Sequence, residues 1–195
     1  MRKSHVIILI SLLFALCLPA CNRAPQPREL VSAAGRFSVM TPVTLTEAVQ
    51  PLETQGDQID LHIFSGQLGD TGYFVSYWDY PPGLVRPDKL EKMLDASRDG
   101  SVANVGGKLV QEEKITLMGN PGRELVIDTG SSAGPEARLL KGRLFIVGNR
   151  MYQIMVVTPK KQKTSPETEA FLQSFKLLGG PPPVSPASPP AEKRD

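Results

Sequence analysis

The chain has 195 residues, of which 41% are hydrophobic, enough for one domain with a sizeable core. Its 22 basic side chains against 20 acidic ones leave no strong positive charge to attract nucleic acid, so we expect no nucleic-acid partner. Two cysteines and two histidines are too few for a zinc site built from several such ligands.

The first twenty residues predict a secretory signal peptide, because Arg2 and Lys3 precede an apolar run (residues 6–16) too short to span a bilayer. Leu18-Pro19-Ala20-Cys21 resembles the lipobox of bacterial lipoproteins. That resemblance implies cleavage after Ala20 and a diacylglyceryl thioether on Cys21, commonly with a further fatty-acyl chain such as palmitate on the new amino group. Two or more chains give stable membrane anchoring. The alternative is an ordinary exported leader in which Cys21 has no special role.

The lipobox also implies a location in the cell envelope. Asn22 follows Cys21 in place of Asp, which favours the periplasmic side of the outer membrane in a Gram-negative cell. In another envelope type we expect the outer face of the cell membrane. Removal of Arg2 and Lys3 leaves 20 basic against 20 acidic residues, so the mature protein is formally neutral. With Cys21 lipidated, it has no thiol for a disulfide or a metal.

Composition divides the remainder into three segments. Residues 21–29, with Pro25 and Pro27, predict a short lipidated spacer. Residues 30–178 predict one domain without internal repeats. Residues 179–195 contain six prolines among seventeen residues and predict a solvated, disordered tail. A tail that binds a partner domain is the alternative.

In the first half of the domain, short apolar runs bounded by Gly and Pro predict four strands and one helix. The helix runs from Pro87 to about Arg98, with Pro87 suited to its first turn and Asp88 to its positive end. Its apolar side is expected to carry Leu90, Met93, Leu94 and Ser97. The strands are 36–40, 44–49, 59–64 and 73–80.

In the second half, we predict strands 108–117 and 123–128, joined by a turn at residues 119–122. A hairpin follows, in which Gly148-Asn149 joins strands 139–147 and 150–157. That turn sets Val147 opposite Arg150 and Phe145 opposite Tyr152. Both faces of the hairpin are mostly apolar, which indicates central strands of a sheet covered on both sides. Ser165 and Pro166 then begin a short helix.

Several of these landmarks together resemble the PsbP-like family of extrinsic photosystem proteins and their bacterial relatives. The matching pieces, in the same order over roughly residues 37–178, are Phe37-Ser38-Val39 with Pro42, Gly119 to Leu125, Gly148 to Ile154 and Phe171 to Phe175. The resemblance implies an α+β fold, an α/β/α sandwich with helices on both faces of an antiparallel sheet. It implies no catalytic motif, since members are usually binding, assembly or accessory proteins. No photosystem-specific binding residues can be matched.

Catalytic and metal chemistry finds little support in the residue pattern. His62 is the only histidine outside the leader, no serine stands in a nucleophile elbow, and no phosphate-binding glycine loop is present. Asp60 and His62 share one strand face near Asp57, and we weigh a metal site there against a solvated strand face, which we favour. We therefore expect that the protein is not an enzyme and that it binds no metal ion and no cofactor.

One strand is unusually rich in aromatic residues. Tyr73, Tyr77, Trp78 and Tyr80 offer contact area with polar ends, which suits a partner or ligand surface. The alternative, which we favour, is that these side chains fill the two covered faces of the sheet.

The function we expect is that of a non-catalytic envelope lipoprotein, an accessory or assembly factor that binds another envelope protein or complex. A carrier or sensor of a small apolar ligand or lipid is the alternative. The oligomeric state is left open.

Overall fold

The computed structural model describes residues 26–54, 57–130, 137–162 and 165–179, which form two antiparallel sheets and two α-helices. The strands of the large sheet are β3 (Thr46–Thr54), β4 (Asp57–Leu68), β5 (Thr71–Asp79), β6 (Lys108–Leu117), β7 (Asn120–Gly130), β8 (Arg138–Val147) and β9 (Arg150–Pro159). The small sheet contains β1 (Arg28–Ser32), β2 (Phe37–Thr41) and β10 (Lys176–Leu177). The helices are α1 (Leu90–Asn104), preceded by a 3-10 turn over Pro87–Lys89, and α2 (Pro166–Gln173); a second 3-10 turn covers Lys160–Gln162.

The predicted hairpin forms the middle of the large sheet, whose strand order is β3-β4-β5-β9-β8-β7-β6. Val147 lies opposite Arg150 and Phe145 opposite Tyr152, so the predicted register is confirmed. Gly148 has a φ of 59°, a conformation that glycine adopts without steric cost. The turn residue therefore decides which side chains of both strands reach each face.

One side of the large sheet, here called the small-sheet face, packs against the small sheet and α2. Phe37 of β2 and Phe171 of α2 lie in the same apolar cluster as Tyr77, Tyr152 and Ile154 of the large sheet. Phe37 contacts Phe64 edge to face and stacks with Phe175, with ring centroids 5.5 and 5.4 Å apart. These aromatic contacts make the second, smaller sheet part of the core.

The other side, here called the α1 face, packs against α1. Leu94 is fully buried among Leu125, Leu144 and Met151, with Leu90 and Met93 beside it. The predicted apolar side of the helix is thus confirmed, although the helix continues to Asn104. The α1 packing lies mainly over β7 and β8.

Three features differ from the sequence-based expectations. The predicted antiparallel sheet is present, but a second sheet shares one of its faces with α2, so the layering is only partly that of an α/β/α sandwich. Strand β1 begins at Arg28, inside the predicted spacer, and was not predicted. The turn expected at residues 119–122 lies at Met118-Gly119, both with positive φ, and Asn120 already belongs to β7.

Candidate docking face on the central sheet

The aromatic strand β5 places its side chains alternately on the two faces of the large sheet. Tyr73 and Tyr77 lie in the cluster of the small-sheet face, Trp78 lies in that of the α1 face, and all three are buried. Tyr80 is half-buried beside Trp78. These positions favour the core-filling alternative for Tyr73, Tyr77 and Trp78, and a partner or ligand contact by any of the four stays a prediction.

A buried arginine holds one end of this aromatic layer. Arg150 donates to both carboxylate oxygens of Asp79, at 2.7 and 2.6 Å, and its guanidinium lies 4.5 Å from the ring centroid of Tyr77. Its third contact is the carbonyl oxygen of Ala34, at 2.8 Å, while the hydroxyl of Tyr152 donates to the carbonyl oxygen of Gly35. The cluster therefore fixes the β1–β2 turn against the large sheet.

The protonation states of this cluster follow from burial and charge. Burial alone would lower the pKa of Arg150, but the hydrogen bonds and charge of Asp79 more than offset it, and the pKa lies above its usual value. Burial raises the pKa of Tyr77 to about 12, although the positive charge of Arg150 acts in the opposite direction. Tyr77 is therefore a neutral phenol at physiological pH, and the arrangement suits structural support better than proton transfer.

His62 lies at the exposed side of the same layer. Its ring stacks on Tyr77 with centroids 4.4 Å apart, and its Nδ1 lies 3.0 Å from a carboxylate oxygen of Glu47. The predicted neighbour Asp60 is exposed on the same strand face. Within the part of the chain that the structure describes, no three His, Cys, Asp or Glu side chains come together to hold a metal ion.

The α1 face is only half covered. Beyond α1, the sheet presents half-buried side chains from β4, β5 and β9, of which Met155 packs against the cluster of the α1 face. We call the following six residues the open face: Ile63, Phe74, Ser76, Gln153, Met155 and Val157. Register places Phe74 opposite Met155 and Ser76 opposite both Ile63 and Gln153, so the six form one continuous surface.

The six residues of the open face are uncharged, and Arg138 of β8 lies at the edge of this surface, where it donates to the carbonyl oxygen of Asp70 at 2.7 Å. Alternation places uncharged residues of four neighbouring strands on the α1 face. They are Thr46, Ala48, Gln50 and Leu52 of β3; Ile59, Leu61, Ile63, Ser65 and Gln67 of β4; Gly72, Phe74, Ser76 and Trp78 of β5; and Met151, Gln153, Met155, Val157 and Pro159 of β9. The same strands carry Glu47, His62 and Arg150 on the small-sheet face. Depletion of charge at an exposed apolar surface is typical of the centre of a protein interface.

An ion-pair network explains why α1 covers only one half. Arg123 of β7 is almost fully buried beneath the helix and donates to Glu91 and Asp95 of α1, at 2.7 and 3.4 Å, and to Glu112 of β6, at 2.9 Å. Burial opposes the charge of Arg123, yet the carboxylates outweigh it and raise its pKa. Arg98 of α1 adds a contact to Glu112 at 3.0 Å. These contacts join α1 to β6 and β7, away from the open face.

Sequence reasoning assigned the hairpin residues Met155 and Val157 to covered faces, and it did not single out Phe74 among the aromatic residues. Their part-exposure depends on where α1 packs, which is set by the Arg123 network. The run of uncharged residues at positions 59–67 of β4, 72–78 of β5 and 151–159 of β9, taken at alternate positions, was visible in the sequence and could have indicated this face.

The predicted lipid site, Cys21, and nearly all of the proline-rich tail lie outside the described residues. In the part of the chain that the structure describes, neither helix is long and apolar enough to cross a bilayer.

Comparison with known proteins identifies the fold. No family model matches the sequence, and no curated protein matches it. Among solved structures, the chain is similar to the solution structure of cyanobacterial PsbP (CyanoP) from Synechocystis, with a TM-score of 0.50 and 11% identity over 83% of this chain and 99% of that chain. The PsbP-like domain is thus confirmed as a fold, whereas the lipobox stays a prediction.

Proposed function

We propose that this chain is a non-catalytic, lipid-anchored envelope protein that acts as an accessory or assembly factor by binding another envelope protein. The observation that carries the proposal is the open face, a mostly apolar surface of half-buried side chains on β4, β5 and β9 beside α1. Apolar surface of this kind is retained where a partner buries it. The layering, a sheet between α1 on one side and α2 with the small sheet on the other, leaves this region as the candidate contact.

The anchor is part of the same proposal. Lipidation at Cys21 holds the domain at a membrane, on the periplasmic side of the outer membrane in a Gram-negative cell and on the outer face of the cell membrane otherwise. The described spacer residues Gln26 and Pro27 are exposed and lead directly into β1, so the tether enters the fold at the small sheet. Tethering raises the effective concentration of the domain towards partners in that membrane.

The anchor is tested by replacing Cys21 with serine in the full chain and fractionating the cells. We expect the Cys21→Ser protein to leave the membrane fraction and to incorporate no radiolabelled palmitate. Cys17→Ser is the matched control, because Cys17 lies four residues earlier in the leader and should leave anchoring unchanged. A Cys21→Ser protein that stays in the membrane fraction contradicts the proposed anchor.

Protein binding is tested by purifying the lipidated chain from its own membrane in mild detergent after chemical crosslinking. A stoichiometric protein partner supports the accessory role.

A carrier or sensor of a small apolar ligand is the second candidate, because Phe74, Ile63 and Met155 would also suit an acyl chain. The helix-covered clusters are filled by side chains such as Leu94 and Trp78, so the open face is the site we propose for such a ligand. Native mass spectrometry that detects a bound lipid with no protein partner would favour the carrier.

A further inference from the structure

Deepening the proposed function, we infer that the small sheet lies against the lipid surface of the membrane that holds the anchor. The contact is made by the side of β1, β2 and β10 that points away from the large sheet. This inference rests on the lipid anchor of the proposed function. It is carried by the exposed apolar side chains on that side of the small sheet, by the charges beside them and by the length of the tether.

The small sheet exposes large apolar side chains to solvent. Alternation along β2 directs Phe37 and Val39, both almost fully buried, into the core, so the positions between them point outwards. On the outward side, Val31 is 58% exposed, Met40 is 40% exposed and Leu178 is 37% exposed. We call the following six residues of this side the outer face: Glu29, Val31, Ser38, Met40, Lys176 and Leu178.

The outer face is one continuous surface. Val31 lies opposite Ser38, and Ser38 also pairs with Lys176 on its other side. The backbone N–H of Leu178 donates to the carbonyl oxygen of Arg36 at 2.8 Å, which continues the pairing of β10 with β2. Among the described residues, three of the seven exposed large apolar side chains adjoin this small sheet, whereas the other four are spread over separate parts of the large sheet. Such a concentration marks an interaction surface.

Cations border the apolar side chains. Lys176 is exposed on the outer face, Arg28 is exposed at the start of β1, and Arg36 donates to the carbonyl oxygen of Leu178 at 3.5 Å. Glu29 is the acidic residue of the outer face. Lysine and arginine side chains can lay their carbon chains on apolar surface and place the charge at the level of lipid phosphates. Apolar side chains bordered by cations therefore suit the headgroup region of an anionic bilayer.

The tether keeps this part of the fold near the membrane. Cys21 lies seven residues before Arg28, the first residue of β1, so the chain between them spans at most about 25 Å. A domain of about 150 residues is about 35–40 Å across. An orientation with the small sheet on the side farthest from the bilayer is therefore out of reach. Tethering also raises the effective concentration of lipid at the outer face, so that contacts too weak to hold a free domain become effective.

Lipid contact at the outer face would orient the whole domain. The small sheet packs on one face of the large sheet, whereas α1 and the open face lie on the other. With the outer face on lipid, the open face points away from the membrane. A protein partner of the open face would then approach from the aqueous side.

The test asks whether lipid contacts position 31 in the full lipidated chain, reconstituted into vesicles of phosphatidylethanolamine and phosphatidylglycerol. Val31→Cys supplies a single free thiol for the fluorophore NBD, because Cys17 leaves with the leader and Cys21 is acylated. The matched control is Val110→Cys, since Val110 is 60% exposed but lies on β6, an edge strand of the large sheet. We expect nitroxide-labelled lipid to quench the fluorophore at position 31 and to leave that at position 110 unchanged. Thermal unfolding verifies that both labelled proteins are folded.

A charge reversal tests the contribution of the cations. In the labelled Val31→Cys chain, Lys176→Glu should lower the ratio of docked to undocked protein about tenfold or more, because it replaces attraction to anionic lipid by repulsion. The quenching at position 31 should fall with it. Lys92→Glu, which changes an exposed lysine of α1, is the control and should leave the quenching unchanged. Equal quenching from these two folded variants contradicts the inference.

Three other outcomes overturn the inference. A fluorophore at position 31 that is quenched by aqueous iodide and not by labelled lipid would place the outer face in water. Equal lipid quenching at positions 31 and 110 would show that the domain has no preferred side towards the bilayer. Protection of position 31 from both quenchers would show that a second copy of the chain covers the outer face.

The lipid contact and the anchor fail in different ways. If mass spectrometry finds acyl chains on Cys21 and position 31 stays in water, the lipid contact is wrong and the anchor stands. If Cys21 of the mature chain carries no lipid, the anchor of the proposed function is wrong, and the lipid contact with it.

Discussion

Asp79→Asn should destabilise the domain strongly, because it removes the carboxylate that neutralises Arg150. The Arg150 side chain is 8% exposed and the Asp79 side chain 34% exposed, so water can reach the aspartate more easily than the guanidinium. Loss of one partner of a buried ion pair costs about 3–5 kcal/mol. Because Asp79 is partly solvated, we expect about 2–4 kcal/mol for Asp79→Asn.

The reverse change, Arg150→Met, should cost less. It leaves Asp79 accessible to water and loses the hydrogen bond to the carbonyl oxygen of Ala34 and the contact with the Tyr77 ring. We expect about 1–3 kcal/mol. The double variant leaves no unpaired charge, so its loss should be smaller than the sum of the two single losses by at least about 1 kcal/mol.

Urea unfolding of the chain without residues 1–21 measures these differences. Trp78, the single tryptophan, is buried and reports unfolding by fluorescence. A loss of 2–4 kcal/mol corresponds to a fall of about 4–16 °C in Tm for a domain of this size. Additive losses in the double variant, or a cost below about 0.5 kcal/mol for Asp79→Asn, would refute the role assigned to this ion pair.

Three further predictions concern other parts of the fold. Burial raises the pKa of Tyr77 from its ordinary value of 10.0 to about 12, so the unfolded chain loses this proton first as pH rises. The contribution of protonated Tyr77 to the free energy of unfolding is complete below pH 10 and declines by up to about 2–3 kcal/mol towards pH 12. Tyr77→Phe should reduce this alkaline loss of stability in unfolding measurements from pH 8 to 12. An unchanged pH profile contradicts the prediction. Met118 is 77% exposed with a φ of 50°, so Met118→Asn should stabilise the domain by up to about 1 kcal/mol, and a lower Tm would oppose this. Gly122→Ala should destabilise the domain by more than about 2 kcal/mol, because its added methyl group would overlap the Leu144 carbonyl oxygen and the Phe145 ring. The control is Gly100→Ala in α1, where nothing lies near the added methyl group, and its Tm should be unchanged or higher.

The parts of the fold that local chemistry determines could be predicted from the sequence. The Gly148-Asn149 turn and the apolar runs beside it specify the pairing of β8 with β9, since a one-residue slip would exchange the two faces. Ser165 accepts a hydrogen bond from the backbone of Thr168, as expected for an N-cap followed by proline. Both signals act within a few residues.

The parts that depend on distant contacts could not be predicted. Strand β1 is short, and its neighbouring turn is fixed by Arg150 and Tyr152, more than 110 residues later in the chain. The turn at Met118-Gly119 was displaced because Asn120 and Pro121 pair with β6, and the side chain of Asn120 donates to the carbonyl oxygen of Leu117. No local pattern encodes these contacts.

The candidate site shows the same division. The core-filling role favoured for the aromatic residues of β5 agrees with the structure, in which Tyr73 and Tyr77 lie on one face and Trp78 on the other. The apolar pattern of β9 predicts that both faces avoid water, but it does not identify what covers each residue. The cover depends on the position of α1, which is set by the ion pairs of Arg123 with Glu91 and Asp95 of α1 and with Glu112 of β6.

The attachment of β1 has a mechanical consequence for a tethered protein. If Cys21 is held in a membrane, any force on the body is transmitted through the spacer to Arg28, at the far end of a ladder in which Arg28 pairs with Thr41 and Ser32 with Phe37. Pulling along the strand loads these hydrogen bonds together in shear instead of opening them one at a time. A pull away from β2 would instead open the ladder from the Arg28–Thr41 pair, so the direction of force decides how firmly the tether is attached.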